Sequence, residues 1–296
     1  MRIMHHAILG PGGVGGMVGA CLAKNGHAVT MVVRPEAVDQ YPRQLKLEST
    51  FGNFTVPIER TARVPPCDVL WIAVKATQLE SALRSIPSAD VTGAMVPLLN
   101  GIDHVALLRS RYGAERVFPG TIAGETERVA PAHVIHRSPF ERLNLIASTR
   151  GRLETTFEEL RKMGFAGEFI ENEATLLWGK LVLLAPLALA TSAAGATKGE
   201  ILGNPPWRGE IEACVREACA VATAEGAKVD PDAGLIFLRS LPDGMKSSMQ
   251  KDVEQGKPPE LDAIGGPILR GGARHGIPVP ITRKLVEMVE NRARSA

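Results

Sequence analysis

The chain has few cysteines and no cluster of them. Cys21, Cys67, Cys214 and Cys219 are the only four among 296 residues, with no C-x-x-C pair and no histidine at metal-ligand spacing. A disulfide framework and a structural zinc site are therefore not expected, and the thiols read as reduced, mostly buried residues. His133 and His136 do not change this, because three residues apart on a strand they point to opposite faces. An excess of charge of one sign is lacking as well. With 34 Lys and Arg against 32 Asp and Glu the formal charge is +2, and no block of like charges occurs. Neither a nucleic-acid partner nor a membrane surface is expected. The N-terminus runs into an apolar strand without the charged region, apolar stretch and cleavage site of a signal peptide, which makes the cytoplasm the expected location. One long uncharged run does occur, from Leu181 to Thr197, between Lys180 and Lys198. Pro186 interrupts it and small or hydroxyl residues crowd its end, so it reads as a buried central helix rather than a membrane span.

What is present begins at the ninth residue. Leu9-Gly10-Pro11-Gly12-Gly13-Val14-Gly15 follows a short apolar strand and opens a small-residue helix, Gly16 to Lys24. In this G-x-G-x-x-G spacing Gly10 permits a tight turn, Gly12 lets backbone approach a pyrophosphate, and Gly15 lets helix and strand pack closely. The helix N-terminus then favours the anion. The pattern implies a nicotinamide or flavin dinucleotide. The next apolar run, His27 to Val33, ends in Arg34, about 20 residues after the glycines, where such folds place the group that reads the ribose. An acid there would accept from a free 2′-hydroxyl; Arg34 cannot accept and suits a 2′-phosphate, which points to NADP(H).

The length exceeds one compact domain. Through the first half, continuous apolar runs such as Asp68–Val74 and Ala94–Leu99 alternate with helical segments starting at Gln78 and Asp103. Uninterrupted hydrophobicity predicts strands buried on both faces of a parallel sheet. Between Val117 and Ile146 shorter, partly alternating runs predict added antiparallel strands at the sheet edge. A helix over Arg152–Met163 and a short strand over Gly167–Glu171 would follow. From Asn172 on, strand signals vanish and helices are predicted over Trp207–Glu225, Leu261–His275 and Thr282–Arg294. The fold class is thus α/β: a Rossmann-type, doubly wound parallel sheet in residues 1–171, followed by an all-α domain in residues 172–296. The second domain would serve substrate binding and offers helices for a homodimer, with no stripe that identifies the face.

Reduction of a carbonyl needs a proton donor for the developing alkoxide, and donors or cations for any carboxylate on the substrate. Lys180 is the candidate acid, since partial desolvation at the edge of the most apolar helix makes an ammonium a better donor. A carboxylate nearby should hold its proton on, and Glu260, which opens a later helix, is the candidate partner.

These residues belong to an ordered set: Gly10 to Gly15, Val74-Lys75-Ala76 with Gln78, Leu99-Asn100-Gly101, Trp178-Gly179-Lys180-Leu181, Ser247-Ser248-Met249 with Asp252, Glu260-Leu261-Asp262, and His275-Gly276-Ile277-Pro278-Val279-Pro280. In order and separation the set resembles the ketopantoate reductase (2-dehydropantoate 2-reductase) family over nearly the whole chain. The resemblance implies NADPH-dependent reduction of ketopantoate, a step of pantothenate biosynthesis. It matches Lys180 to the family's proton donor and Glu260 to the carboxylate that neighbours it and the cofactor. It also matches Asn100 to the amide between nicotinamide and substrate, Lys75 to a cofactor contact, Arg34 to the 2′-phosphate reader, and Ser248 to a substrate ligand.

The departures concern the substrate. Four and eight residues after its lysine the family usually carries asparagines that bind substrate polar groups; here Leu184 and Ala188 stand there, and Lys198 replaces a third asparagine. The implied pocket is more apolar, with Lys198 as an extra substrate-binding cation. Two further readings stay open: a reductase of a different 2-oxo acid, and a catalytically silent NADP(H)-binding sensor.

Overall fold

A computed structural model describes residues 2–87 and 93–295. The chain divides into two compact units, one of Met1–Leu99 with His104–Glu171 and one of Asn100–Asp103 with Asn172–Ala296.

In chain order the first unit runs β1 (His5–Leu9), α1 (Gly13–Lys24), β2 (Ala28–Val32), β3 (Gln44–Glu48), β4 (Phe54–Pro57), β5 (Glu59–Thr61), β6 (Val69–Ile72), α2 (Leu79–Ala82) and β7 (Ala94–Pro97). It continues through α3 (His104–Tyr112), β8 (Gly120–Ala123), β9 (Thr126–Ala130), β10 (His133–His136), β11 (Glu141–Ile146), α4 (Arg150–Lys162), β12 (Phe165–Ala166) and β13 (Phe169–Ile170). One sheet has the order β5-β2-β1-β6-β7, with every pair parallel. Every residue of β6 and β7 is buried, as the unbroken apolar runs predict. From β1 the chain first builds β2 on one side and later β6 on the other, so the order reverses beside β1, the position where such sheets receive ligands.

The segment 117–146 corrects one expectation. Val117 does bridge in parallel to Met95 of the edge strand β7, but the strands that follow form two further sheets, β4-β3-β10-β9 and β12-β11-β13, with β8 joined to β11. β10 pairs in parallel with β3 and antiparallel with β9. The reason lies in β3, where Leu45 and Leu47 are buried while Gln44 and Lys46 are exposed. That alternation makes a half-buried strand whose free edge takes up β10.

The second unit contains α5 (Glu173–Ala194), α6 (Lys198–Gly203), α7 (Pro205–Ala224), α8 (Pro231–Ser240), α9 (Ser248–Glu254), α10 (Leu261–Ile264), α11 (Gly266–His275) and α12 (Pro280–Ser295), with no strand among its described residues. α5 begins at Asn172, whose side chain accepts from the Thr175 N–H at 2.7 Å, and ends at Gly195 in the left-handed conformation. Trp178, Leu181, Ala185 and Leu189 of α5 pack with Cys214, Val215 and Ala218 of α7. Among the described residues α5 is the one helix long and apolar enough to cross a membrane, and 67% of its most apolar window is buried in the fold. Residues 261–275, expected as one helix, split at Gly265. Pro267 has no N–H to return to the carbonyl of Ala263, four residues earlier, which breaks the hydrogen-bond ladder there.

Candidate active-site residues

In the first unit three predicted residues lie just past the carboxyl ends of adjacent strands. β1 pairs Leu9 with Val32 of β2 and with Ile72 of β6. Gly10 follows Leu9, Arg34 stands two residues past Val32, and Lys75 three past Ile72. Gly10 has φ +90°, and a Cβ there would meet Val74 Cγ1 at 2.6 Å and Val74 N at 2.8 Å, so the turn requires glycine and presses against the residue before Lys75. Gly12 has no such crowding: among the described residues, its own chain neighbours apart, no atom lies within 4 Å of the place its Cβ would take. Pro11 stands between them, and Gly13, Val14 and Gly15 form the first turn of α1. Gly15 lies against Ile8 of β1, which is the close helix–strand approach the spacing implies. Arg34 is exposed, and its guanidinium has no hydrogen bond or ion pair among the described residues. Lys75 is partly buried at the start of a short 3₁₀ turn, where its carbonyl accepts from the Gln78 N–H.

In the second unit the chain brings together three residues that lie 80 and 160 positions apart. Lys180 donates from Nζ to Asn100 Oδ1 at 2.8 Å, and Asn100 donates from Nδ2 to Glu260 Oε2 at 3.1 Å. A lysine can only donate and a carboxylate can only accept, so these two neighbours fix which end of the Asn100 amide faces which. Glu260 is 6% exposed and directly precedes α10. Gly101, with φ +83°, seats Asn100 here: a Cβ at Gly101 would strike the carbonyl oxygen of Ala263. That is the carbonyl Pro267 leaves without a helical partner, so the helix break and the glycine serve one close approach. The sequence pairs Lys180 with Glu260; the structure places an amide that bridges both.

The remaining candidates lie differently. Lys198 opens α6 and is 2% exposed, and its ammonium donates to Asp243 Oδ1 at 2.6 Å and to the Arg239 carbonyl at 3.3 Å. The ammonium that the sequence offers as an extra pocket cation is thus paired with an acid 45 residues away. Ser248 is the exposed first residue of α9, while Ser247 before it is buried, with its hydroxyl 3.0 Å from that of Thr191. Leu184 is partly buried, and Ala188 is 1% exposed. All four cysteines are free and buried. Among the described residues no group of three or more His, Cys, Asp or Glu side chains could hold a metal ion.

Comparison with known proteins follows the same two-part division. A family model described as ketopantoate reductase PanE/ApbA matches residues 6–146, and one described as ketopantoate reductase PanE/ApbA C terminal matches residues 173–293. The chain is 30% identical to a 2-dehydropantoate 2-reductase of Caulobacter vibrioides, covering 97% of this chain and 98% of the relative. Among solved structures, a 2-dehydropantoate 2-reductase of Geobacter metallireducens is 27% identical with a TM-score of 0.85, covering 97% of this chain and 99% of that one. A D-mandelate dehydrogenase solved with NADH and anilino(oxo)acetate shares the fold, with a TM-score of 0.85 over 99% of each chain at 20% identity. With both parts of the chain matched in order, the protein belongs to the ketopantoate reductase family.

Proposed function

We propose that the protein reduces ketopantoate to pantoate with NADPH. The observation that carries this reading is the Asn100 amide held between Lys180 and Glu260. The first unit fits a dinucleotide: the open space at Gly12 admits a pyrophosphate to the N-terminus of α1, and Arg34 offers an uncommitted guanidinium to a 2′-phosphate. Lys75 adds positive charge beside the glycine turn. Bound NADPH supplies a hydride to the ketone carbon.

Hydride addition leaves negative charge on the ketone oxygen, and Lys180 donates the proton that completes the hydroxyl. Asn100 keeps the ammonium in place through its oxygen and offers its second N–H to a substrate oxygen. Glu260 holds the amide so that its oxygen, not its nitrogen, meets Lys180. Ser248, exposed at the start of α9, can donate to the substrate carboxylate. A positioned acid contributes on the order of 10²–10⁴ in rate. Lys180→Ala should therefore lower kcat by about that factor and leave the Kd for NADPH within about twofold; an unchanged kcat would remove Lys180 from the reaction.

Leu184 and Ala188 favour a second reading, a 2-oxo acid without the pantoate hydroxyl, since neither side chain can hydrogen-bond such a group. Higher kcat/KM for an unhydroxylated 2-oxo acid than for ketopantoate would favour it.

A further inference from the structure

Arg34 has a counterpart on the neighbouring strand. β2 and β5 pair in parallel with Val32 opposite Thr61, and the Val33 N–H continues the ladder to the Thr61 carbonyl at 2.9 Å. Arg34 and Arg63 therefore stand at matching positions, each two residues past the last paired residue. Both are exposed, and neither guanidinium has a hydrogen bond or ion pair among the described residues. The other arginines around them are committed: Arg43 bonds Glu59 at 3.1 Å, and Arg60 bonds the backbone carbonyls of Tyr41 and Asp39. Glu36, the acid nearest Arg34 in sequence, pairs with neither.

Two like charges at adjacent strand ends repel unless an anion lies between them. A phosphate monoester carries between one and two negative charges and three acceptor oxygens, whereas one guanidinium fork engages two of them. A second fork would take the remaining oxygen and the remaining charge. We propose that Arg63 joins Arg34 in holding the 2′-phosphate of NADPH, so that the pair, rather than Arg34 alone, sets discrimination between phosphorylated and free ribose. This rests on the NADPH reading above.

Titration calorimetry with adenosine 2′,5′-bisphosphate and adenosine 5′-monophosphate tests it without turnover. The wild type should bind the bisphosphate at least about 10-fold more tightly, and Arg34→Ala and Arg63→Ala should each cut that ratio by about 10-fold, while affinity for the monophosphate stays within about twofold. Arg63→Lys should keep part of the preference, since it retains charge but loses the fork. Both positions are exposed, so unchanged melting temperatures will accompany these losses. If Arg34→Ala abolishes the preference and Arg63→Ala leaves it intact, the role of Arg63 is overturned and the NADPH reading stands. If the wild type itself shows no preference, the NADPH reading fails and the inference falls with it.

Discussion

His6 makes the first unit sensitive to acid. It sits in β1, four residues before the glycine turn, and is fully buried. Its Nδ1 accepts from the Trp71 Nε1–H at 3.2 Å, its ring lies 4.9 Å from that of His27, and its Nε2 has no hydrogen-bond partner among the described residues. Burial, with a smaller contribution from His27, pushes its pKa from 6.5 down to about 3, against an opposing pull from Asp68. Below pH 6.5 the unfolded chain binds a proton that the folded chain refuses, so this residue's contribution is complete above pH 6.5 and lost as the pH falls towards 3. At about 1.4 kcal/mol per unit the loss is about 2 kcal/mol at pH 5 and about 4 kcal/mol at pH 3, a large share of a typical domain's stability. His6→Gln keeps an acceptor for Trp71 and does not titrate. Urea unfolding of the two proteins at pH 7 and pH 5 should show the difference in stability between the two pH values shrinking by about 2 kcal/mol in the variant. In the wild type the ring resonances of His6 should hold the neutral form down to pH 5. An equal pH dependence in both proteins, or protonation of His6 near pH 6, would refute the reasoning.

Gly101→Ala should cost about 1–2 kcal/mol for the left-handed backbone alone. It should also reduce kcat well beyond what that loss explains, because Asn100 must move away from Glu260; activity at the wild-type level in steady-state assays would count against the Ala263 contact. Lys198→Met leaves its partner Asp243 in solvent, so it should change thermal melts little and leave KM within about twofold, whereas a tenfold rise in KM would place Lys198 in the substrate pocket. Burial pushes the Cys21 and Cys214 thiols up to about 12 and those of Cys67 and Cys219 up to about 11. Ellman's reagent at pH 8 should therefore find no reactive thiol in the folded protein and four in urea; rapid labelling without denaturant would contradict this.

Much of the first unit was legible because its signals are local. The spacing from Gly10 to Gly15, the apolar runs that became β1, β2, β6 and β7, and the position of Arg34 after β2 all follow from residues close in sequence. Pairing partners are not local. β10 joins β3 across some 85 positions, as the His133–Glu48 hydrogen bond illustrates, and no periodicity within 117–146 encodes that edge. The same limit governs the second unit. Lys180 and Glu260 could be singled out by type, but the amide between them depends on Gly101 meeting a carbonyl freed by Pro267. The pairing of Lys198 with Asp243 is equally invisible, because the two are 45 positions apart. Arg63 went unnoticed for the related reason that β5, only three residues long, gives no periodic signal.

The central claim is that Lys180, held by Asn100 and Glu260, protonates a 2-oxo acid reduced by NADPH. Loss of NADPH absorbance with purified protein, ketopantoate and a small panel of other 2-oxo acids, run beside Lys180→Ala and beside NADH, tests it most directly. NADPH-preferring turnover, fastest with ketopantoate, should be seen and should fall by about 10²–10⁴ in the variant. Absence of turnover with every acid, or an equal rate in Lys180→Ala, would contradict it.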